Sequence, residues 1–241
     1  MSTQTRKIKV VTLDLDNTLW DVERTIIKAE SDMRQWMFEH IPDALELYKS
    51  GAASEFRTQV VADNPTKVHD LSFLRIEVLC KIITAAGISV AQSRDFAEKA
   101  FAIFFRGRNE VAFFPGALEM LNVLAQQYTL FALTNGNADV EKVGIAHFLA
   151  GAVSSADVGA SKPDPLMFTT GLEKAGVAPE QCIHVGDHLT DDIYGANNVG
   201  MHTLWVNLTD QIREKDQVKA DIEVHSLQAL SPALEAYQLT L

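Results

Sequence analysis

Short apolar runs that stop abruptly at polar residues, separated by helix-patterned chain, constrain this sequence more than any other feature. The runs lie at 9–14, 129–134, 182–185 and 203–206, with a shorter apolar piece at 152–155. Helical spacing fills the intervals at 117–127, 138–148, 165–175 and 191–198. Near-continuous apolar strands alternating with helices predict an α/β fold whose parallel sheet is covered on both faces. Sheets of this kind bind ligands where the strands end. Asp14, Thr134 and Asp187 all fall at such ends.

Between residues 20 and 108 the pattern changes. Val22, Ile26, Ala29, Met33 and Met37 recur at helical spacing, as do Leu71, Leu74, Val78 and Ile82, and then Phe96, Ala100, Ile103 and Phe104. This predicts a helical insertion at 21–108 inside a core made of 1–20 and 109–241. The joints are expected near 20–23 and 106–110, with Gly107 as a hinge. Phe101, Phe104, Phe105, Phe113 and Phe114 read as core packing, and Glu23, Arg24, Lys28 and Glu30 as a solvated helix face.

A length of 241 residues allows one large domain or two smaller ones. No apolar run approaches the roughly 18–20 residues of a membrane span. The polar, basic residues 1–7 are followed by an apolar stretch containing Asp14 and Asp16, which is not a signal-peptide core. Cys80 and Cys182 stand in apolar surroundings and read as two buried thiols rather than a bridge. The expectation is a soluble cytoplasmic protein, with its oligomeric state open. A formal charge of −11 disfavours nucleic acid and anionic membrane as partners. It leaves room for a small anionic substrate if a cation and a lysine reverse the field locally.

The first strand runs into Asp14-Leu15-Asp16. Alternate residues of an extended chain point the same way, so the two carboxylates emerge together and Leu15 turns into the core. Carboxylates that close repel unless a proton or cation lies between them. The pair therefore suggests a Mg²⁺ site, with one carboxylate free for nucleophilic or acid–base work. Three later segments supply partners: Thr134-Asn135-Gly136 after the second strand, Ser161-Lys162-Pro163-Asp164-Pro165, and Gly186-Asp187 followed by Asp191 and Asp192. Asp-x-Asp, Ser/Thr, Lys and Gly-Asp-x4-Asp in that order resemble the four signature motifs of the haloacid dehalogenase-like (HAD) hydrolases.

That resemblance implies a Rossmann-like core carrying an inserted helical cap of the C1 type, a mobile lid over the site. It makes Asp14 the nucleophile that forms an aspartyl-phosphate and Asp16 the acid and base for leaving group and water. Thr134 would bond a phosphoryl oxygen, helped by the backbone of Leu15, Asp16, Asn135 and Gly136, and Lys162 would offset shared negative charge. Asp14, the Asp16 carbonyl and Asp187 would hold Mg²⁺. Asp191 and Asp192 both suit the last motif, and the following Ile193-Tyr194-Gly195-Ala196 favours Asp192 as the metal-positioning residue. His184 and His188 are not expected to be ligands, since hard cations take oxygen.

Within the family, dehalogenation needs no second aspartate, whereas Asp16 is present, and P-type ATPases need membrane spans. Phosphate-monoester hydrolysis is the expected activity, with a phosphomutase or a non-catalytic phospholigand-binding protein as alternatives. Stretches including 133–138, His69-Asp70, Arg75 and 184–190 resemble bacterial phosphatases of the riboflavin pathway acting on FMN and 5-amino-6-(5-phospho-D-ribitylamino)uracil. Arg75 would then contact the non-phosphate part of the substrate.

Overall fold

The computed structural model describes residues 8–214 and 217–241. The basic segment at 1–7 lies outside them. In chain order, β1 (Val10–Leu13) precedes five helices: α1 (Val22–His40), α2 (Pro42–Leu47), α3 (Ala53–Asp63), α4 (Leu71–Ala85) and α5 (Val90–Arg108). Next come α6 (Ala117–Ala125), β2 (Thr129–Thr134), α7 (Val140–Val143), β3 (Gly151–Ser154), α8 (Ser155–Val158) and α9 (Pro165–Ala175). The chain ends with β4 (Cys182–Gly186), a π-helical segment at Leu189–Tyr194 running into α10 (Gly195–Asn198), then β5 (His202–Val206), β6 (Ile222–Val224) and α11 (Leu230–Gln238).

Among the described residues six strands form one sheet in the order β3-β2-β1-β4-β5-β6, and every neighbouring pair is parallel. The strand interiors are sealed on both faces. Val11, Leu13, Ala132, Leu133, Val153, Ile183, Val185 and Leu204 are essentially inaccessible, as strands under crossover helices must be. This is the predicted α/β class. No helix among the described residues is long and apolar enough to cross a membrane. Cys80 and Cys182 are free thiols, Cys182 fully buried and Cys80 half-buried.

The chain divides into two compact units, one of residues 8–21, 112–136 and 143–241, the other of Val22–Val111 and Asn137–Lys142. The first carries the sheet. In the second, Ala29, Met33 and Met37 of α1, Leu74, Ile82 and Ile83 of α4, and Ala97, Ala100 and Phe104 of α5 form a dry core. Gly107, expected at the joint, lies within α5 and is buried. A Cβ there would come 2.9 Å from Ala29 Cα, so glycine serves the close approach of α1 and α5.

Two local readings change. The helix expected over 138–148 is a single turn, α7, capped by Asp139 Oδ1 accepting from the Glu141 and Lys142 N–H groups. Gly144 (φ 88°) ends it, and a 3₁₀ turn at Ala146–Phe148 follows. Glu30 is not part of a solvated face. It accepts from Arg75 and from Tyr48 Oη and lies 3.4 Å from Arg34. Asp70 caps α4 by accepting from the Phe73 N–H at 3.0 Å. β6 and α11 went unpredicted; at three residues, β6 is too short to show a period.

Candidate active site

β1 ends at Leu13, and the next residues wrap into a tight turn. The Leu19 N–H donates to the Leu15 carbonyl and the Asn17 N–H to the Trp20 carbonyl, each at 2.8 Å, with Asn17 at φ 61°. Leu15 is driven into the core at 0% exposure, as the alternation predicts. The turn brings Trp20 back onto Asp16, whose Oδ1 accepts the indole N–H at 2.8 Å. Trp20 is itself fixed by an antiparallel bridge and an edge-on ring contact to Phe113.

Asp14, nearly buried, is gripped from two sides. Its Oδ1 accepts from Lys162 Nζ at 2.6 Å and its Oδ2 from Thr18 Oγ1 at 3.1 Å. The Thr18 hydroxyl also lies 3.2 Å from Asp187 Oδ1, bridging the ends of β1 and β4. Lys162 in turn lies 2.6 Å from Asp192 Oδ1. One buried ammonium thus serves two buried carboxylates.

Asp192 reaches this position through the π-helical turn after β4. The His188 carbonyl accepts from both Asp192 and Ile193 N–H groups, at 2.9 and 3.3 Å. That wider winding rotates Asp192 inward and leaves Asp191 half-exposed. Gly186 permits the approach, since a Cβ there would lie 2.2 Å from Asp192 Cγ. Asp192 therefore joins the cluster, and Asp191 stands at the rim of the cleft.

Thr134 is buried at the end of β2, its Oγ1 accepting from the Gly136 N–H at 2.9 Å. That leaves its proton to donate. The Asn135 side chain holds the lysine loop: Oδ1 accepts from the Lys162 N–H at 2.7 Å and Nδ2 donates to the Lys162 carbonyl at 3.0 Å. Neither this clamp nor the Thr18 bridge was foreseen from the sequence, although Thr18 stands in the same turn as Asp16. Arg75 lies in the helical unit, paired with Glu30 and with its guanidinium 3.6 Å over the Phe104 ring.

Asp14, Asp16, Thr134, Lys162 and Asp187 line a cleft of about 190 Å³. Carboxylate oxygens of Asp14, Asp187 and Asp192 lie within 4.8 Å of one another. An all-oxygen donor set at a strand end suits a hard divalent cation, and the residues present fit Mg²⁺. Burial pushes Asp14 up to about 8, with Lys162 opposing it and Asp192 and Asp187 reinforcing it. Burial also raises Asp187 to about 6. Burial alone would raise Asp192 too, but Lys162 and His184 outweigh it and hold it well below the usual range. Burial would lower Lys162, yet the two carboxylates push it above its ordinary value.

A pH dependence of cation binding follows. Below about pH 6 both Asp14 and Asp187 carry protons that a cation must displace, so binding strengthens as pH rises. Mg²⁺ is expected to raise the thermal midpoint more at pH 8 than at pH 5.5. Equal shifts at the two pH values would show that these carboxylates do not hold it.

The chain matches the family model for haloacid dehalogenase-like hydrolases over residues 8–200. It is 29% identical over 200 residues to the 5-amino-6-(5-phospho-D-ribitylamino)uracil phosphatase YigB of Escherichia coli (strain K12), covering 83% of this chain and 84% of that one. A glyceraldehyde 3-phosphate phosphatase of Pyrococcus furiosus is 29% identical over 216 residues, covering 83% and 81%. Among solved structures, a 2-haloacid dehalogenase from Pseudomonas syringae pv. Tomato DC3000 superposes with a TM-score of 0.89 at 36% identity, over 95% of this chain and 99% of that one. The sheet, the acids gathered at its strand ends and the family match agree: this chain belongs to the haloacid dehalogenase-like hydrolases.

Proposed function

We propose that the chain is a Mg²⁺-dependent phosphate-monoester hydrolase acting on a small phosphorylated metabolite through an aspartyl-phosphate on Asp14. The observation that carries this is the arrangement of Asp14 between Lys162 and Thr18, with Asp16 beside it on the indole of Trp20. An Asp14 oxygen attacks phosphorus while the ester oxygen departs and takes a proton from Asp16. Asp16 then removes a proton from water as that water attacks phosphorus, which releases phosphate and restores Asp14. Lys162 and Thr134 steady the phosphoryl oxygens, aided by backbone N–H groups of Leu15, Asp16, Asn135 and Gly136. Asp14, Asp187 and the Asp16 carbonyl would hold the cation, with Asp192 positioning the cluster. When bound, Mg²⁺ withdraws charge from the phosphoryl group and favours the ionised carboxylates. The helical unit is a substrate-selecting cap in this reading.

The uracil-phosphate phosphatase relative supports 5-amino-6-(5-phospho-D-ribitylamino)uracil as the first substrate to try, with FMN beside it on the resemblance of the sequence stretches alone. The structural relative that is a 2-haloacid dehalogenase favours a second reading, halide displacement by Asp14. Halide leaves without a proton, so that reaction gives Asp16 no work. The test is phosphate release, with and without Mg²⁺, from FMN, the ribitylaminouracil phosphate, hexose phosphates, phosphoglycolate and nucleotides, alongside halide release from 2-chloropropionate. Mg²⁺-dependent phosphate release is expected, strongest with the flavin-pathway esters. Halide without phosphate would establish the second reading. Phosphate moved to a sugar hydroxyl would make the chain a mutase, and binding without turnover would make it a phospholigand-binding protein.

A further inference from the structure

His184 lies in β4, wholly buried, and no step above uses it. The β1–β4 register sets it directly opposite Thr12, so the hydroxyl and the ring share one face of the sheet. Nδ1 lies 2.9 Å from Thr12 Oγ1 and Nε2 lies 3.1 Å from Asp192 Oδ1. Phe168 meets the ring edge-on, with centroids 5.2 Å apart. An ionised carboxylate only accepts, so Nε2 carries the hydrogen and Nδ1 receives the Thr12 hydroxyl. Burial holds the ring below its ordinary range, which keeps it neutral.

Asp192 therefore takes three donors: Lys162 and His184 on Oδ1, and the His188 N–H on Oδ2 at 3.0 Å. Lys162 Nζ sits 2.6 Å from Asp192 and 2.6 Å from Asp14. Two carboxylates compete for one ammonium, and a further donor on Asp192 weakens its claim. We propose that His184 is a positioning residue which, by donating to Asp192, keeps Lys162 shared with Asp14 rather than drawn away from it. The chain of contacts runs from Thr12 in the sheet through His184, Asp192 and Lys162 to the nucleophile. This inference rests on the phosphatase reading for its kinetic consequence, though not for its geometry.

The test compares His184→Leu with His184→Gln, whose amide retains a donor, in wild-type and Asp192→Asn backgrounds, with thermal unfolding of each variant. His184→Leu is expected to lower kcat about 10- to 100-fold with KM within about threefold, and His184→Gln to recover most of that loss. In the Asp192→Asn background the leucine variant should cost less than about twofold more, because its route to Lys162 is already cut. Equal losses in both backgrounds, or equal losses for Leu and Gln, would overturn the proposal. Long-range ¹H–¹⁵N spectra of the wild-type protein provide a readout independent of turnover. A neutral ring protonated at Nε2 is expected, and protonation at Nδ1 alone would overturn the pairing. A wild-type protein that hydrolyses no ester would remove the proposed function, and the spectra would still decide the His184–Asp192 bond.

Discussion

Asp14→Asn is expected to reduce phosphate release by at least about 10⁴-fold while leaving the protein folded. The amide has the carboxylate's shape: its oxygen can still accept from Lys162, while its NH₂ can donate to the Thr18 hydroxyl as that hydroxyl turns its proton to Asp187, so the turn after β1 has no reason to rearrange. It cannot form the aspartyl-phosphate. The same variant bears on stability. With Asp14 raised to about 8, the folded protein holds a proton there that the unfolded chain releases near its ordinary value. Wild-type stability at this group therefore falls as pH rises from about 4 to 8. The asparagine protein is spared that loss, so its thermal midpoint should equal or exceed wild type, by more at pH 8 than at pH 5. Activity within tenfold of wild type would remove Asp14 as nucleophile. A midpoint well below wild type at pH 8 would show that ionised Asp14 stabilises the fold.

The largest loss of stability is expected from Lys162→Met. Its ammonium is the shared partner of two buried carboxylates, and methionine fills a similar volume without charge. Removing one member of a buried ionic cluster costs about 3–5 kcal/mol because the remaining charges stay desolvated. For a chain of this size that corresponds to roughly 6–20 °C in the thermal midpoint. Asp192, held low by Lys162 and His184, contributes stability above the ordinary aspartate range that is lost as pH falls. The deficit of the variant should therefore shrink towards pH 4, where the unpaired carboxylates protonate, and widen as pH rises through neutrality. Adding Asp192→Asn to Lys162→Met should restore part of the loss, since one buried charge disappears. Thermal melts across pH check both points, and an unchanged midpoint near pH 7 would mean Lys162 does not neutralise the cluster. Turnover should fall in step, because Asp14 and the phosphoryl group lose their common cation.

Much of the frame was legible because its signals are local. The runs around Val11, Ala132 and Ile183 are apolar on both faces, which only a covered parallel sheet accommodates. Leu15 turning inward followed from a two-residue alternation. Helix α9 runs from Pro165 to Ala175 as its spacing predicts, with Asp164 capping it through the Leu166 N–H. Signals weakened where elements are shorter than their own period. The turn at 140–143 looked like the start of a longer helix until Gly144 ended it, and β6 offered three residues to read.

The sequence by itself determined which residues end the strands, and with them that Asp14, Thr134 and Asp187 share one edge of the sheet. Strand topology and side-chain period suffice for that, since parallel strands carry their carboxyl ends to the same side. Only the tertiary structure decided how these groups are joined. That Thr18 spans Asp14 and Asp187, that Asn135 clamps the Lys162 backbone, and that Glu30 claims Arg75 depend on atoms brought together from distant parts of the chain. The sequence favoured Asp192 over Asp191, and one π-helical turn is what carries that residue inward. That turn is set where the His188 carbonyl captures two successive N–H groups and Gly186 leaves room for the carboxylate beneath.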